Sequence, residues 1–552
     1  PKYNDAIGSV MDTHLRDPYH EELTTTVDLS LFRAGGMIEG AVGEDSAFYA
    51  SYRESLLQFY VENFVDEDEL KFTEVPKNSD YQLKYHWRID NISNLRLLAT
   101  GARDSVGIEF GPESEDLQHE PDLAGGLNAD TYYHNQAVLY DTLLSNGTST
   151  IVAFSRIEND QSFNAGSLIN VDATSLEYRL KNHYQTPLSN GDTLHYGFDT
   201  SNARFKYLVT GKDIPCSEEN ETCLPASLGK DFDTQDDITV NSSYVFANYE
   251  WLATPFLEVS LGLGSNYDDF TNESSVQPRI GSRYELNPQW VLTAAVGRHS
   301  QFHRNIRFID KEVGTPDLKT PTSDHYVLGF EYTQDDSISI KLESYYKKIN
   351  DLIISNPAYD KVSSPDVDRY LNEVSGEAYG MEFLLNKNLT DKWYGWLSAS
   401  YSKTKRTNEL DNSSFNYELD RPWIVNLVAS YQYSPKTTIG WKWRYQSGAL
   451  ITPISGSNPV DANGDIVADD SPNIVLYAPI NGEINSERLP ASHRLDFRID
   501  YEPKADATYY FEIVNLYNQQ NVSSYKYDEK YETKEDVVSL PTLFNFGLKY
   551  TF

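Results

Sequence analysis

Phe544-Asn545-Phe546-Gly547-Leu548-Lys549-Tyr550-Thr551-Phe552 closes the chain, and its alternation decides the fold. Successive side chains of a β-strand point to opposite faces. Phe544, Phe546, Leu548, Tyr550 and Phe552 therefore share one face, and Asn545, Gly547, Lys549 and Thr551 share the other. A free edge strand of this kind would expose its apolar side chains and a row of unpaired backbone groups. Closing onto the first strand of the chain, around Thr24–Leu31, removes both costs.

The same pattern recurs upstream. Tyr81, Leu83, Tyr85, Trp87 and Ile89 interleave with Asp80, Gln82, Lys84, His86 and Arg88. Leu257, Val259, Leu261 and Leu263 interleave with small or polar residues, as do Ile439, Trp441, Trp443 and Tyr445. Leu495, Phe497, Ile499 and Tyr501 alternate with Arg494, Asp496, Arg498 and Asp500. Period-two alternation gives about 22 such strands. Short connections carry turn residues, such as Ser145-Asn146-Gly147, Asn287-Pro288-Gln289 and Ser434-Pro435-Lys436. Long ones lie near 58–79, 109–130, 214–235, 303–322, 354–374, 406–418, 453–490 and 527–539. Tight turns at one end and long loops at the other are the signature of an antiparallel up-and-down barrel in an outer membrane.

Composition agrees. The 552 residues hold 40 Tyr, 24 Phe and 8 Trp but only 3 Met and 2 Cys. Mean hydropathy is −0.54, and no apolar run reaches the roughly 18 residues of a helical span. Lys and Arg number 46 against 83 Asp and Glu, a net charge of −37, which argues against nucleic acid as a partner. Two cysteines exclude a cysteine-built zinc site. A sandwich would also alternate, but it rarely reaches this many strands with Tyr and Trp at the ends of the apolar faces. A propeller would show a repeat of fixed period, and none is present. At roughly 10 residues per crossing, 22 strands use about 220 residues and leave the rest for turns and loops. The chain starts at Pro1 without a basic-then-apolar leader, so a secretory signal is expected to be removed or to lie upstream.

Several segments resemble the TonB-dependent receptor family of Gram-negative outer membranes. Arg488-Leu489-Pro490, His493-Arg494-Leu495-Asp496-Phe497-Arg498, Asn515-Leu516-Tyr517-Asn518 and Asn521-Val522 resemble its last three strands. Arg444-Tyr445-Gln446-Ser447-Gly448, with Pro453 following, resembles the strand that opens a long loop in its C-terminal region. Phe544, Phe546, Leu548, Tyr550 and Phe552 match its assembly signal. Tyr3-Asn4-Asp5-Ala6-Ile7-Gly8-Ser9-Val10, with Arg16-Asp17-Pro18, looks like the last strand of its plug domain.

The resemblance implies a 22-stranded barrel, integral to the outer membrane and in contact with its lipid and lipopolysaccharide. It binds a scarce small nutrient outside, and the TonB energy-transducing complex acts through the plug to release it inwards. Residues 1–20 are then the end of the plug and the link to the barrel, and 21–552 the barrel. The rest of the plug is expected in cis on a longer chain, as a separate chain, or not at all. Ferric siderophore is the leading ligand class; oligosaccharide, peptide, cobalamin or another metal complex remain open. The alternatives are a passive diffusion pore and a barrel anchoring a separate lumen-filling protein. No catalytic motif is present, and no enzyme activity or resident cofactor is expected.

Lys84, His86, Arg88, Lys341, Glu343, Lys442, Arg444, Arg494 and Arg498 lie on polar strand faces and are expected to face the lumen. They would hydrogen-bond a plug, or set the ion selectivity of an open pore. Cys216 and Cys223 fall in a long outer loop, where an oxidising exterior favours a disulfide. Asp461-Ala462-Asn463-Gly464-Asp465, with Asp469 following, partly resembles a calcium loop, but Ile466 replaces its usual Gly and no Glu closes it. A solvated acidic loop is the competing reading there, and also for Asp66-Glu67-Asp68-Glu69. His299 and His303, at the outer end of a strand, fit a metal, a substrate contact or plain solvent exposure.

Overall fold

A computed structural model describes residues 2–58, 71–110, 115–213, 224–303, 305, 308, 310, 314–335, 337–359, 367–539 and 541–552. Its wall is a closed antiparallel barrel of 22 strands among the described residues. The chain enters through short strands, Thr24–Ser30, Arg33–Ala41 and Ser46–Ser55. Longer ones follow, from Lys71–Arg88 to the longest, Lys230–Thr254, of 25 residues. The last five wall strands are Trp423–Ser434, Thr437–Gln446, Ser492–Lys504, Ala507–Val514 and Leu543–Thr551. Leu543–Thr551 closes the barrel on Thr24–Ser30, with Thr26 opposite Thr551 and Leu29 opposite Leu548. No helix is long and apolar enough to cross a membrane, which says nothing against crossing by strands.

Turns at one end are tight because side chains satisfy their amides. Asn146 Oδ1 accepts from Thr148 N at 3.1 Å, and Gly147 takes the left-handed φ of 83° that this turn needs. Asn287 Oδ1 accepts from the amides of Gln289 and Trp290, each at 3.0 Å. At the other end the strands run further than alternation indicates. The strand expected to begin near 80 begins at Lys71, and that expected near 236 begins at Lys230. Three outer connections are short: Ser30 to Arg33, Ala165 to Ile169, and Asp268 to Glu273.

The outward face is apolar. Leu261, Leu263, Val276, Ile280, Val296 and Leu328 are all exposed there. Aromatic rings pair in tilted contacts across neighbouring strands at both ends of this band. Trp290–Tyr332 and Trp393–Tyr431 centroids lie 4.7 Å and 4.6 Å apart near the tight-turn end. Tyr326–Tyr346 and Tyr401–Trp423, at 6.2 Å and 5.0 Å, mark the other end. From Trp393 to Tyr401 the strand runs about 26 Å, or about 20 Å across the membrane at a tilt of about 40°. That height suits the hydrocarbon layer of an outer membrane, which is thinner than average.

Candidate functional site

The site is the lumen and its outer mouth. Residues 2–20 contain no strand and cross the lumen as irregular chain. One end is held by strands Glu273–Asn287, Thr322–Gln334 and Ile338–Ser355. Arg279 Nη1 donates to Tyr3 O at 3.0 Å, His325 Nε2 to Ile7 O at 3.0 Å, and Lys347 Nζ to Gly8 O at 2.7 Å. Asp5 Oδ1 accepts from Phe302 N at 2.8 Å, and Asp5 has a φ of 56°.

The other end is held on the opposite side of the barrel. Lys84 Nζ, on the strand Lys71–Arg88, donates to Leu15 O at 2.7 Å and pairs with Asp17 at 2.7 Å. Arg16 forks onto Glu39 at 2.5 and 2.7 Å, and the same carboxylate accepts from Tyr19 N at 2.9 Å. The Glu39 side chain is only 4% exposed. A buried carboxylate with three donors is compensated in a way that a lone one would not be. Most wall cations here grip backbone carbonyls, so the contact depends little on the side chains of the segment.

Each residue expected at the lumen lies on the strand face opposite the exposed apolar one. Lys84 touches the segment 2–20, and the His86 ring lies edge-on to His20 at 6.0 Å. The others pair within the wall. Arg88 meets Asp45 at 2.6 Å, Lys341 meets Glu343 at 2.9 Å, and Arg494 meets Asp496 at 2.9 Å. Arg444 donates to Gln446 at 2.8 Å, and Lys442 is exposed opposite Asp496 in register. Arg498 pairs with Asp500 at 2.6 Å and also with Glu512.

Arg498 lines a cavity of about 760 Å³ with Arg33, Arg53, Asp80, Tyr510 and Glu512. Arg53 pairs with Asp80 at 2.8 Å, Arg33 with Asp28 at 3.2 Å, and Tyr510 donates to Asp28 at 2.7 Å. The arginines of the cavity are thus already matched by carboxylates.

Outer loops knit a cap over part of the mouth. Glu120 accepts from the amides of Ala226 and Ser227 at 2.6 and 2.8 Å. His119 stacks on Tyr531 at 4.4 Å, and Ser457 Oγ donates to Lys530 O at 2.6 Å. Burial first, and then the Glu120 carboxylate, push the Tyr531 phenol up to about 12. Leu224 and Leu228 pack on the buried cluster Val460, Leu476 and Ala478. Asp310 is buried and accepts from Tyr207 at 2.6 Å and Thr234 at 2.9 Å, on the two strands, Thr193–Asp213 and Lys230–Thr254, that flank residues 224–228.

The remaining expectations fall in loops. Asp461 Oδ1 accepts from the amides of Asn463 and Asp465 at 2.8 and 3.1 Å, and Asn463, Asp465 and Asp469 face solvent. His299 stacks on His325 at 4.3 Å, while His303 turns away to hydrogen-bond Lys319 O at 3.2 Å; burial pushes the His303 imidazole pKa down. Among the described residues no group of three His, Cys, Asp or Glu side chains converges as a metal would require. Cys216, Cys223 and Asp66-Glu67-Asp68-Glu69 lie outside the described residues. Arg279, His325, Lys347 and Glu39 were not singled out from sequence. Alternation puts them on the inner face but does not tell which inner residues meet the crossing segment.

Residues 51–516 match the sequence profile described as TonB dependent receptor-like, beta-barrel. No curated protein matches the chain in sequence. Among solved structures, it is similar to the ferripyoverdine receptor of Pseudomonas aeruginosa, with a TM-score of 0.69 at 12% identity, over 97% of this chain and 72% of that one. It is also similar to the ferric enterobactin receptor of the same organism, with a TM-score of 0.67 at 14% identity, over 100% and 83% of the two chains. The FrpB iron transporter of Neisseria meningitidis gives 0.67 at 12%, over 96% and 81%. At such identities the structural likeness speaks for the fold.

Proposed function

Because the chain belongs to the TonB-dependent receptor-like β-barrel family of outer-membrane transporters, we propose that it imports a ferric siderophore of low net charge. The observation that carries this reading is the segment 2–20, strung across the lumen between Lys347 and Lys84. We read residues 1–20 as the end of a plug and 21–552 as the barrel, the rest of the plug being supplied in cis or as a separate chain. A plug so anchored on both walls gives the TonB complex something to pull against. The named relatives that handle iron support the ligand class.

Electrostatics narrows it. The chain carries a charge of −37, and Arg33, Arg53 and Arg498 are already matched by carboxylates. A strongly anionic tris-catecholate complex would find few free cations, whereas a neutral tris-hydroxamate complex needs none. Titration of purified protein with both ferric complexes, followed by tryptophan fluorescence, tests this. The expected result is at least ten-fold tighter binding of the hydroxamate complex. Preferential binding of the catecholate, or of a sugar, peptide or cobalamin in the same panel, contradicts the proposed ligand.

A further inference from the structure

The cavity beside Arg498 holds more carboxylates than guanidinium groups. Arg33, Arg53 and Arg498 meet Asp28, Asp80, Asp500 and Glu512, and Asp104 lines the cavity as well. Asp104 and its cross-strand neighbour Asn78 are exposed, and among the described residues neither has a hydrogen-bond or ion-pair partner. Arg53 binds Asp80 through Nε at 3.0 Å and Nη2 at 2.8 Å, both onto Oδ1, which leaves Asp80 Oδ2 open.

An isolated exposed carboxylate is ordinarily just hydrated. A second observation sets this wall apart. Asn545, on the strand Leu543–Thr551, lines the same cavity and is only 5% exposed, yet its Oδ1 accepts from no donor. A buried amide oxygen left unpaired costs free energy. The cavity therefore has acceptors and negative charge in surplus, and it lacks donors.

The open acceptors lie close together. Asp80 is opposite Ala102 and Asn78 is opposite Asp104, so Asp80 and Asp104 are diagonal neighbours on strands Lys71–Arg88 and Ser93–Glu109. Diagonal neighbours in an antiparallel pair stand about 7–8 Å apart. One ammonium group between them has three N–H donors, enough for both carboxylates and the Asn78 amide oxygen. Phe32 and Leu57 also line the cavity and offer apolar surface to an alkyl chain.

We propose that Asn78, Asp80 and Asp104 recognise a primary ammonium group on an alkyl arm of the ligand. The site rests on the reading of the chain as an importer of a ferric hydroxamate complex, and it names the charged group that such an importer selects.

The test uses the full chain in detergent at low ionic strength, where ion pairs are least screened. Two iron complexes are compared by tryptophan fluorescence: a linear ferric trihydroxamate that ends in a free primary amine, and the same complex with that amine acetylated. Dansylcadaverine, a dye on an alkyl primary amine, and its acetylated form probe the site without iron. The wild type is expected to bind each free amine at least five-fold tighter than its acetylated counterpart. Asp104→Asn, an isosteric change at an exposed position, should bring that ratio below two-fold. Asp130→Asn, which alters the outward-facing pair with Arg103, should leave it unchanged. A heat-modifiable gel band establishes that each variant is folded. Equal binding of free and acetylated forms by the wild type, for iron complex and dye alike, overturns the site, as does an undiminished ratio in folded Asp104→Asn. A dye preference that depends on Asp104, with neither iron complex bound, upholds the ammonium site and overturns the hydroxamate reading instead.

Discussion

Glu39 is where one residue holds two parts of the molecule together. Its buried carboxylate takes both arms of Arg16 and the Tyr19 amide. Glu39→Gln keeps the shape and removes the charge, which costs about 2 kcal/mol of charge-assisted hydrogen bonding. Cleavage within residues 2–20 by added protease should then be roughly thirty-fold faster, since 1.4 kcal/mol is a factor of ten. An unchanged rate would show that the wall cations alone hold the segment. Arg16 was legible as part of a family-like motif, but its partner was not, because the carboxylate sits on the strand Arg33–Ala41, 23 residues away. For Cys216 and Cys223 the expected outcome is an intact mass about 2 Da below that of the reduced chain, by loss of two hydrogen atoms (two protons and two electrons, taken by an external oxidant) on disulfide formation. Full alkylation without reductant would show free thiols instead.

At the scale of the strand, alternation was readable wherever one face meets lipid and the other the lumen. It failed in the outer extensions. Lys230-Asp231-Phe232-Asp233-Thr234-Gln235-Asp236 is polar on nearly every position because its outward face already stands in water. Hydrogen bonding continues there, with Lys230 still opposite Asp213, but the hydrophobic signal has ended. Closure of the barrel depends on Gly547, which lies opposite both Tyr510 and Ser30. A Cβ there would stand 2.3 Å from Tyr510 Cζ and 2.6 Å from Leu29 O. Gly547→Val is therefore expected to cut the heat-modifiable, assembled fraction at least ten-fold. Gly440→Ala, whose nearest contact would be 3.7 Å, should leave it unchanged. Equal assembly of both would refute the closure argument. On the lipid face, Leu261→Lys near mid-strand should cost about 2–4 kcal/mol in reversible folding into vesicles. A loss below about 1 kcal/mol would mean that this face does not meet hydrocarbon.

For the whole molecule, strand count, handed-off turns and the closing strand were all legible, because a membrane imposes its pattern on every crossing. The wall partners of the crossing segment and the interlocking of the outer loops were not. Asp310 under its loop, or His119 on Tyr531, join residues far apart in sequence through contacts that no local pattern encodes. The transporter account joins both levels: a rigid wall, an anchored strap across it, and a partly capped mouth. Its most direct test is uptake of iron-55 as the ferric hydroxamate complex, in receptor-deficient cells carrying the full gene as it occurs in its genome. Uptake should appear with the gene and vanish when the TonB complex is inactivated. Uptake that persists unchanged without that complex would contradict energised import and leave a diffusion pore in its place.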